Sequence, residues 1–513
     1  MVVGSMPGNP DGELVEYGTR RWLIVVGVML ATLLQVLDVT IVNVALPTIQ
    51  GNMGANFDEG AWIVTGYIIA AVIVIPLTPW LQQLLGRRQY YVAAIAGFTI
   101  TSVLCGMSTS LGQLVFFRVL QGLCGGGLIS TGQAIMRNTF PAKQLGLSQA
   151  LTSIGAVIGP SIGPTLGGVL TDQLSWNWIF YINIIPGIVS LLICAMLLRN
   201  PQRSGRASVD GIGLGLMAMG LGCVQYVLDE GERYDWFNDQ NILITTIVSL
   251  CSLAAFLWWE LRAVRNPIVD VRILFMNRTL ASGCLLQMTL AFGLFGGVIL
   301  APQFQQNLLN FTATLSGESI LLRALAIGIA TPITLVLLSR FHVKPQVLLA
   351  IGFTIVAIAN FNNAHVLTTD SVFGTFVFPL VLGGLGFGML FVPLSVVVLS
   401  SVQGADTQKA TSLLSLCQQL GGSISTAVLV TLLDRRSALH LDRLAGQVNL
   451  ASPAVQAALQ HHASPAQIAG IVMQQASTLA FADAFYVLGA ITLLLTPLVL
   501  LLRTRRPPAA APA

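Results

Sequence analysis

Long, uninterrupted apolar stretches separated by short polar segments dominate the sequence. A helix needs about 20 mainly apolar residues to cross the hydrocarbon core of a bilayer. Strands of a membrane barrel would instead alternate apolar and polar positions. The pattern therefore predicts an all-α integral membrane protein with 14 transmembrane helices. The predicted spans cover residues 22–46, 61–82, 90–110, 112–135, 144–171, 177–198, 210–228, 241–260, 279–301, 316–339, 345–367, 373–400, 410–433 and 481–502.

The distribution of basic residues predicts the orientation of these spans. Nineteen of the 25 lysines and arginines fall in the N-terminal tail, the even-numbered connections and the C-terminal tail. Because Lys and Arg accumulate on the cytoplasmic side of membrane proteins, the tails 1–21 and 503–513 are predicted to be cytoplasmic. The longest connection, 434–480, then lies outside.

An internal repeat divides the chain. Residues 119–128 and 381–390 are identical at six of ten positions, and the same offset of 262 residues also relates the fifth span to the thirteenth. We therefore predict six helices in 22–198, two inserted helices in 199–278 and six helices in 279–502. Paired repeats of this kind are typical of alternating-access carriers. A chance match between Gly- and Leu-rich helices is the alternative.

Composition narrows the classes of function. Hydrophobic residues make up 54% of the chain and charged residues only 9%, against about 25% charged residues in globular domains. None of the three lysines follows the glycine of a phosphate-binding Walker loop, and no HExxH or CxxC string is present. We therefore expect no enzymatic activity, no cofactor, no metal site and no nucleic-acid partner.

Four charged residues in the predicted spans are candidates for proton coupling. Asp38 lies well inside the first span, one helical turn after Gln35, and Arg118 lies at a similar depth in the fourth. An intramembrane carboxylate usually titrates or binds substrate, and a permanently paired or capping acid is the alternative. Glu318 and Arg323 lie near the start of the tenth span. For Glu318, the alternative is simply a position at the membrane interface.

Small residues mark two further helices. The fifth span contains GAVIGPSIGPTLGG, whose Gly and Pro residues recur about once per helical turn. Such a stripe predicts close packing against another helix, and its two Gly-Pro pairs predict a bend or hinge. These residues are Gly155, Gly159, Pro160, Gly163, Pro164, Gly167 and Gly168. In the fourth span, Gln121 and Gly122 follow Arg118 within RVLQGLCGG.

The chain resembles the major facilitator superfamily, in the EmrB/QacA branch of its fourteen-helix drug:proton antiporter family. The resemblance lies in the two strings above and in LDVTIVNVALPTI of the first span, WNWIFYIN at 176–183 and NPIVD at 266–270. The resemblance covers nearly the whole chain and implies the major facilitator fold. It also implies that the fifth-span string is the antiporter motif, that Arg118, Gln121 and Gly122 belong to a proton-handling motif, and that Asp38 is the first-helix acid.

The outer segment 434–480 is most similar to the EmrB type. That similarity implies the inner membrane of a bacterium, a periplasmic adaptor and an outer-membrane channel. Within the segment, PAVQAALQHH and PAQIAGIVMQQAS each begin with a proline suited to a first helical turn. We expect short amphipathic helices here that dock the adaptor, and a lid packed on the protein itself is the alternative.

The loop between the second and third spans departs from the superfamily. Relatives carry the pattern Gly-x-x-x-Asp-Arg-x-Gly-Arg, whereas the aligned residues here are Pro79, Gln83, Leu84, Gly86 and Arg87. The Asp-centred latch of the relatives is therefore missing. We expect other residues to hold the inner gate, or the gate to be held less tightly.

The sequence as a whole predicts a proton-coupled secondary exporter of hydrophobic or amphipathic compounds, acting in multidrug efflux. We expect its substrate cavity to be mainly apolar. The candidate cavity residues are Gln35, Phe292, Phe295, Phe387 and Phe391. A membrane sensor or scaffold without transport activity, or an uptake permease of the same fold, is the alternative, because fold alone does not separate these functions.

Overall fold

The computed structural model describes residues 15–141, 144–199, 210–263, 269–402, 406–446, 448, 456 and 464–502, and the side chains of a few helical residues, Pro160 among them, lie outside the description. The α-helices are α1 Gly18–Met53, α2 Phe57–Leu85, α3 Arg87–Gly106, α4 Leu111–Gly125, α5 Leu128–Thr139, α6 Leu145–Gln173, α7 Trp178–Tyr181, α8 Ile184–Leu197, α9 Gly211–Glu230, α10 Gln240–Trp258, α11 Arg272–Met276, α12 Arg278–Asn307, α13 Ala313–Ser339, α14 Pro345–Val366, α15 Phe373–Gly388, α16 Phe391–Ser400, α17 Asp406–Ala445 and α18 Pro465–Leu495. A π-helical turn, Trp259–Ala263, follows α10, and 3-10 turns lie at Trp236–Asn238 and Thr496–Leu501.

The helices are long enough to cross a membrane. Within the described ranges, thirteen segments satisfy the length and apolarity required of a span. Helix α6, with 29 residues, coincides with the predicted fifth span. At 1.5 Å per residue it is long enough to be the fourteenth. The prediction of an all-helical, multi-pass membrane protein is confirmed.

The internal repeat is visible in helix packing. We call α1–α8 the first half and α12–α18 the second half. In the first half, a Cβ on Gly122 of α4 would come within 3.1 Å of the carbonyl carbon of Tyr67 on α2. In the second half, a Cβ on Gly384 of α15 would come within 3.3 Å of the carbonyl carbon of Arg323 on α13. Gly122 and Gly384 are paired by the offset of 262 residues, so Arg323 holds the position that Tyr67 holds in the first half.

Helix α6 packs along α13 and joins the two halves. A Cβ on Gly146 would lie 2.5 Å from Cδ1 of Leu335, and near the other end a Cβ on Gly317 would lie 2.9 Å from Cβ of Thr165. A glycine of α6 at one end of the contact and a glycine of α13 at the other therefore let the two helices approach closely.

We call the end of the bundle where α1 begins and α18 ends the terminal face, and the opposite end the loop face. At the terminal face, Arg137 in the last turn of α5 donates a hydrogen bond to the carbonyl oxygen of Val402 (2.9 Å) and another to Thr407. The hydroxyl of Ser412 on α17 donates to the carbonyl oxygen of Ile75 on α2. Polar contacts of this kind link the halves where the sequence lacks the superfamily latch.

Of the two inserted helices, α9 lies against both halves and α10 packs on α9. Helix α9 contacts α2 through Glu230, whose Oε1 accepts a hydrogen bond from the hydroxyl of Thr65 (3.4 Å). It contacts α17 through Gln225, whose Nε2 donates to the hydroxyl of Ser423 (2.8 Å). The insertion is therefore anchored on the bundle by buried polar contacts.

The segment 434–480 is predicted as an outer loop, but both of its ends are helical. Helix α17 has 40 residues and runs on to Ala445, and α18 has 31 residues and begins at Pro465. At 1.5 Å per residue α17 is about 60 Å long, roughly twice the hydrocarbon thickness. Both helices therefore extend beyond the bilayer as continuations of the spans, and PAQIAGIVMQQAS belongs to α18. Most of PAVQAALQHH lies outside the described residues.

Candidate functional site

A buried ion pair connects the first and fourth spans. Asp38 and Arg118 are both fully buried, and Oδ2 of Asp38 lies 2.5 Å from Nη1 of Arg118. The other carboxylate oxygen, Oδ1, accepts hydrogen bonds from Nε2 of Gln121 (3.0 Å) and Nδ2 of Asn183 (3.2 Å). The carboxylate is thus held by three donors, two from α4 and one from the connection between α7 and α8.

Arg118 has further partners that do not depend on Asp38. Its Nε donates to the carbonyl oxygen of Ile63 (3.0 Å), and its Nη1 donates to Oε1 of Gln121 (2.8 Å). The guanidinium carbon lies 4.2 Å from the ring centroid of Tyr67, within cation–π distance. Apart from Asp38, the arginine therefore has a carbonyl, an amide and an aromatic face around it.

Sequence reasoning missed three members of this cluster. Asn183 lies between α7 and α8, and its Nδ2 also donates to the hydroxyl of Ser102 on α3 (3.1 Å). Tyr67 supplies the ring above the guanidinium. For Asn183 the available signal was its place as the polar end of the apolar string WNWIFYIN. For Tyr67 and Ser102 no motif marked the residue.

The glycines of the fifth-span string place α6 on the backbone of α1. A Cβ on Gly159 would lie 3.1 Å from the amide nitrogen of Leu37, one on Gly163 would lie 3.4 Å from that of Ile41, and one on Gly167 would lie 3.0 Å from the carbonyl oxygen of Ile41. The contacted residues, Leu37 and Ile41, lie on either side of Asp38 in the sequence. The other described members of the string are Gly155, Pro164 and Gly168. The stripe therefore sets the position of the helix that carries the acid.

The other two candidate coupling residues lie apart from this cluster. Glu318 is exposed on α13. Arg323 is 6% exposed and belongs to the second half, where its Nη2 donates to the carbonyl oxygen of Leu294 (3.1 Å). Its guanidinium lies 4.8 Å from the ring centroid of Phe387. Among the described residues, no carboxylate forms an ion pair with Arg323.

A polar cavity lies between the two halves, and the space in it not filled by atoms, including the part open to solvent, is about 380 Å³. Nε2 of Gln287 donates to Oε1 of Gln418 across part of its wall (3.1 Å). Its described lining residues are Gln133, Gln149, Thr152, Gln287, Phe391, Ser395, Leu414 and Gln418. Four glutamines and no ionisable side chain line it, so the cavity is more polar than the predicted aromatic one.

The remaining residues predicted for the substrate cavity lie elsewhere. Phe292 is buried in the core of the second half, and Phe387 lies beneath Arg323. Phe295 packs near Gly422. The side-chain oxygen of Gln35 accepts a hydrogen bond from the amide of Ile129 (3.1 Å). Of the predicted set, only Phe391 lines the cavity, because hydrophobicity identifies apolar residues without showing which neighbouring helix they face.

The fold and the buried polar clusters define a multi-pass membrane protein built from two helical repeats with a cavity between them. The Major Facilitator Superfamily profile matches residues 28–426. The chain is 34% identical over 464 residues to the multidrug export protein EmrB of Escherichia coli K12, covering 90% of this chain and 88% of that protein. It is 34% identical over 422 residues to the fatty acid resistance protein FarB of Neisseria gonorrhoeae, covering 82% of each.

A solved structure shows the same fold. The human organic anion transporter MFSD10 superposes with a TM-score of 0.63 at 14% sequence identity, covering 94% of this chain and 100% of that one. The chain belongs to the major facilitator superfamily, in its EmrB-type branch. This confirms the family that the sequence motifs resembled.

Proposed function

We propose that this protein is a proton-coupled exporter of hydrophobic or amphipathic compounds, acting in multidrug efflux from the inner membrane of a bacterium. The observation that carries the proposal is the buried cluster of Asp38, Arg118, Gln121 and Asn183. The names of the relatives EmrB and FarB, a multidrug export protein and a fatty acid resistance protein, support export and the substrate class.

Protonation of Asp38 is the proposed coupling step. An ionised Asp38 ties α1 to Arg118 and Gln121 of α4 and to Asn183. A proton on the carboxylate removes the charge attraction, while Ile63, Gln121 and Tyr67 continue to hold Arg118. Helix α1 is then less tightly bound to α4, and it moves with α6 because the glycine stripe packs the two backbones together. Protonation is thus coupled to movement of the helices.

The test uses purified protein in proteoliposomes with an imposed pH gradient. We expect Asp38→Asn, which resembles the protonated acid, to fold and bind substrate but to fail in proton-driven efflux. Asp172→Asn is the matched control, because Asp172 is exposed near the loop face. Full proton-driven efflux by Asp38→Asn would falsify this assignment and make Glu318 the next candidate acid.

The cavity of glutamines is the proposed site of substrate passage. Both halves contribute to its wall, so rocking of the halves would expose it to alternate sides. Its uncharged polar wall, together with Phe391 and Leu414, suits compounds that have both apolar and hydrogen-bonding groups.

We expect Gln418→Leu to change the relative efflux of different dyes, whereas an equal loss for every dye would point to a structural role instead.

We further propose that the protruding parts of α17 and α18 dock a periplasmic adaptor that leads to an outer-membrane channel. His440 of α17 lies 2.9 Å from Asp483 of α18, which ties the two helices together. Ile471 and Met473 on α18 are 56% and 62% exposed. Such exposed apolar side chains on a polar surface are typical of protein contacts.

Co-purification with the adaptor tests this docking surface. The double variant Ile471→Glu/Met473→Glu should lose the adaptor yet keep efflux in vesicles. Phe237→Glu is the matched control, because Phe237 is an exposed apolar residue (57%) in the connection between the inserted helices. Unchanged co-purification of the double variant would contradict the docking proposal without affecting the proposal of export.

A further inference from the structure

A second cavity, separate from the cavity between the halves, surrounds Arg323. The space not filled by atoms, including the part open to solvent, is about 310 Å³, and its walls are formed by residues of α12, α13, α14, α15 and α18. Three polar side chains converge on it: Arg323, Asn360 and Asn363, each only 6% exposed. Phe387 and Phe485 form part of the apolar wall. The cavity thus has a cationic, hydrogen-bonding side and an apolar side.

The helices that form this cavity supply no charge to balance Arg323. Helices α12, α14 and α15 contain no Asp or Glu. The acid of α13, Glu318, is exposed and lies five residues before Arg323, about 140° around the helix. The acid of α18, Asp483, is paired with His440 and Arg436. Within the described part of the chain, Arg323 is therefore a buried cation without a counter-ion, an expensive arrangement inside a membrane.

The first half shows how the same fold handles a buried arginine. There Arg118 of α4 stacks on Tyr67 of α2 and pairs with Asp38 of α1. In the second half the arginine and the aromatic residue have changed helices. Arg323 of α13 occupies the position equivalent to Tyr67, and the ring it stacks on, Phe387, belongs to α15, the fourth helix of the repeat. The first half thus provides its own carboxylate, whereas the second half provides a cavity.

Hydrogen-bond capacity in the cavity also points to an anion. A guanidinium has five N–H donors. Among the described residues, Arg323 donates one hydrogen bond, to the carbonyl oxygen of Leu294. The side chains of Asn360 and Asn363 have no hydrogen-bond partner among the described residues. Amide and guanidinium donors facing one space can surround an anion with charge-assisted hydrogen bonds.

We propose that this cavity binds a monoanionic group, held by Arg323, Asn360 and Asn363. The group comes either from a free inorganic anion or from the carboxylate of an amphipathic compound whose apolar part lies against Phe387 and Phe485. The second source rests on the proposed export function, since it assigns acidic amphipaths to the exported compounds. The binding itself does not depend on transport.

Equilibrium binding to the purified full-length protein in nanodiscs tests the site. The probes are sodium octanoate, sodium chloride and the uncharged 1-octanol, measured by titration calorimetry with empty nanodiscs subtracted. We expect octanoate to bind more tightly than 1-octanol and chloride to compete with it. Chloride binding that depends on Arg323, without octanoate binding, would assign the site to free anions. Equal binding of octanoate and 1-octanol, with no chloride binding, would overturn the proposal.

Variants locate the binding. Arg323→Gln should weaken octanoate binding at least about tenfold, since it removes the charge from the bonds to the anion. Arg340→Gln, at an exposed arginine directly after the C-terminal end of α13, should leave binding unchanged. Wild-type affinity in Arg323→Gln would contradict the proposal.

A second variant pair keeps the test decisive if Arg323→Gln does not fold. A Cβ on Gly297 would lie 2.7 Å from Nη1 of Arg323, the mobile end of a flexible side chain. Gly297→Asp therefore places a carboxylate beside the guanidinium and should abolish octanoate binding, whereas Gly297→Ala should retain it. Retained binding in Gly297→Asp would exclude Arg323 as the anion ligand. Because efflux is not measured, failure here leaves the proposed export function to its own test.

Discussion

At the residue scale, the central feature is an ion pair that is completely removed from water. Asp38 and Arg118 are fully buried and 2.5 Å apart. Removing one partner of a buried pair leaves an uncompensated charge and is strongly destabilising, whereas the intact pair contributes little net stability. Net stability therefore does not account for the cluster, and the proposed role in proton coupling gives it a function.

Substitutions at Arg118 separate charge from geometry. Arg118→Ala should lower the free energy of unfolding by about 3–5 kcal/mol, because Asp38 is stranded, and should abolish proton-driven efflux. Arg118→Lys keeps the charge but loses the planar fork that reaches both Ile63 and Asp38, so we expect partial efflux. Unfolding in detergent and efflux in proteoliposomes are the measurements. Wild-type efflux by Arg118→Ala would exclude the arginine from coupling.

At the element scale, the glycine stripe of α6 determines how closely α6 and α1 approach. The glycines recur every four residues, so they form one row along the helix. Side chains in that row would contact the α1 backbone on either side of Asp38. Whatever moves α6 relative to the second half is thereby transmitted to the acid.

Adding a single methyl group tests this packing. Gly159→Ala brings a Cβ within 3.1 Å of the Leu37 amide nitrogen, which is backbone and cannot rotate away. We expect a loss of about 1–3 kcal/mol in unfolding free energy, as for other overpacked contacts, together with slower efflux. Gly328→Ala is the control, because nothing lies within 4 Å of a Cβ on Gly328. Equal behaviour of the two variants would show that the contact adapts freely.

At the scale of the whole molecule, the basic residues predict the orientation in the membrane, and labelling tests this prediction. Asn238 and Ser339 are both exposed, at the loop face and the terminal face respectively. A cysteine at Asn238 should react with an impermeant thiol reagent in intact cells, whereas one at Ser339 should react only after the cells are opened. The parent protein controls for its native cysteines. Labelling at Ser339 in intact cells would reverse the predicted orientation.

The contact between the halves at the terminal face is a second property of the whole molecule. Arg137 bonds to Val402 and Thr407 across the two halves, at the face where the superfamily latch is altered. Losing a charge-assisted hydrogen bond of about 1.5–3 kcal/mol should open this face. We expect Arg137→Gln to raise the labelling rate of a cysteine at Gln133, in the cavity wall, about tenfold in inside-out vesicles. Arg340→Gln is the control, and an unchanged rate would show that other contacts keep the face closed.

Several features of this protein could be predicted from its sequence alone. The number of helices, the repeat and the family follow from hydrophobicity and local motifs, because a bilayer requires each span to be apolar over about 20 residues. Asp38 and Arg118 could be singled out because an ionisable residue within such a span is costly. Their predicted common depth follows from helix geometry, and the structure places them in contact.

Only the tertiary structure decided which side chains meet. Asn183, Tyr67 and Ser102 join the Asp38 cluster from parts of the chain distant in sequence. No motif marks Tyr67 or Ser102, and the string that ends in Asn183 does not show which residue it contacts. Helix packing likewise brings the glutamines of the cavity together and leaves Arg323 without a carboxylate partner among the described residues. Membrane helices are surrounded by lipid as apolar as their own side chains, so hydrophobicity does not distinguish a face turned toward lipid from a face turned toward another helix. Side-chain packing between distant helices makes that choice.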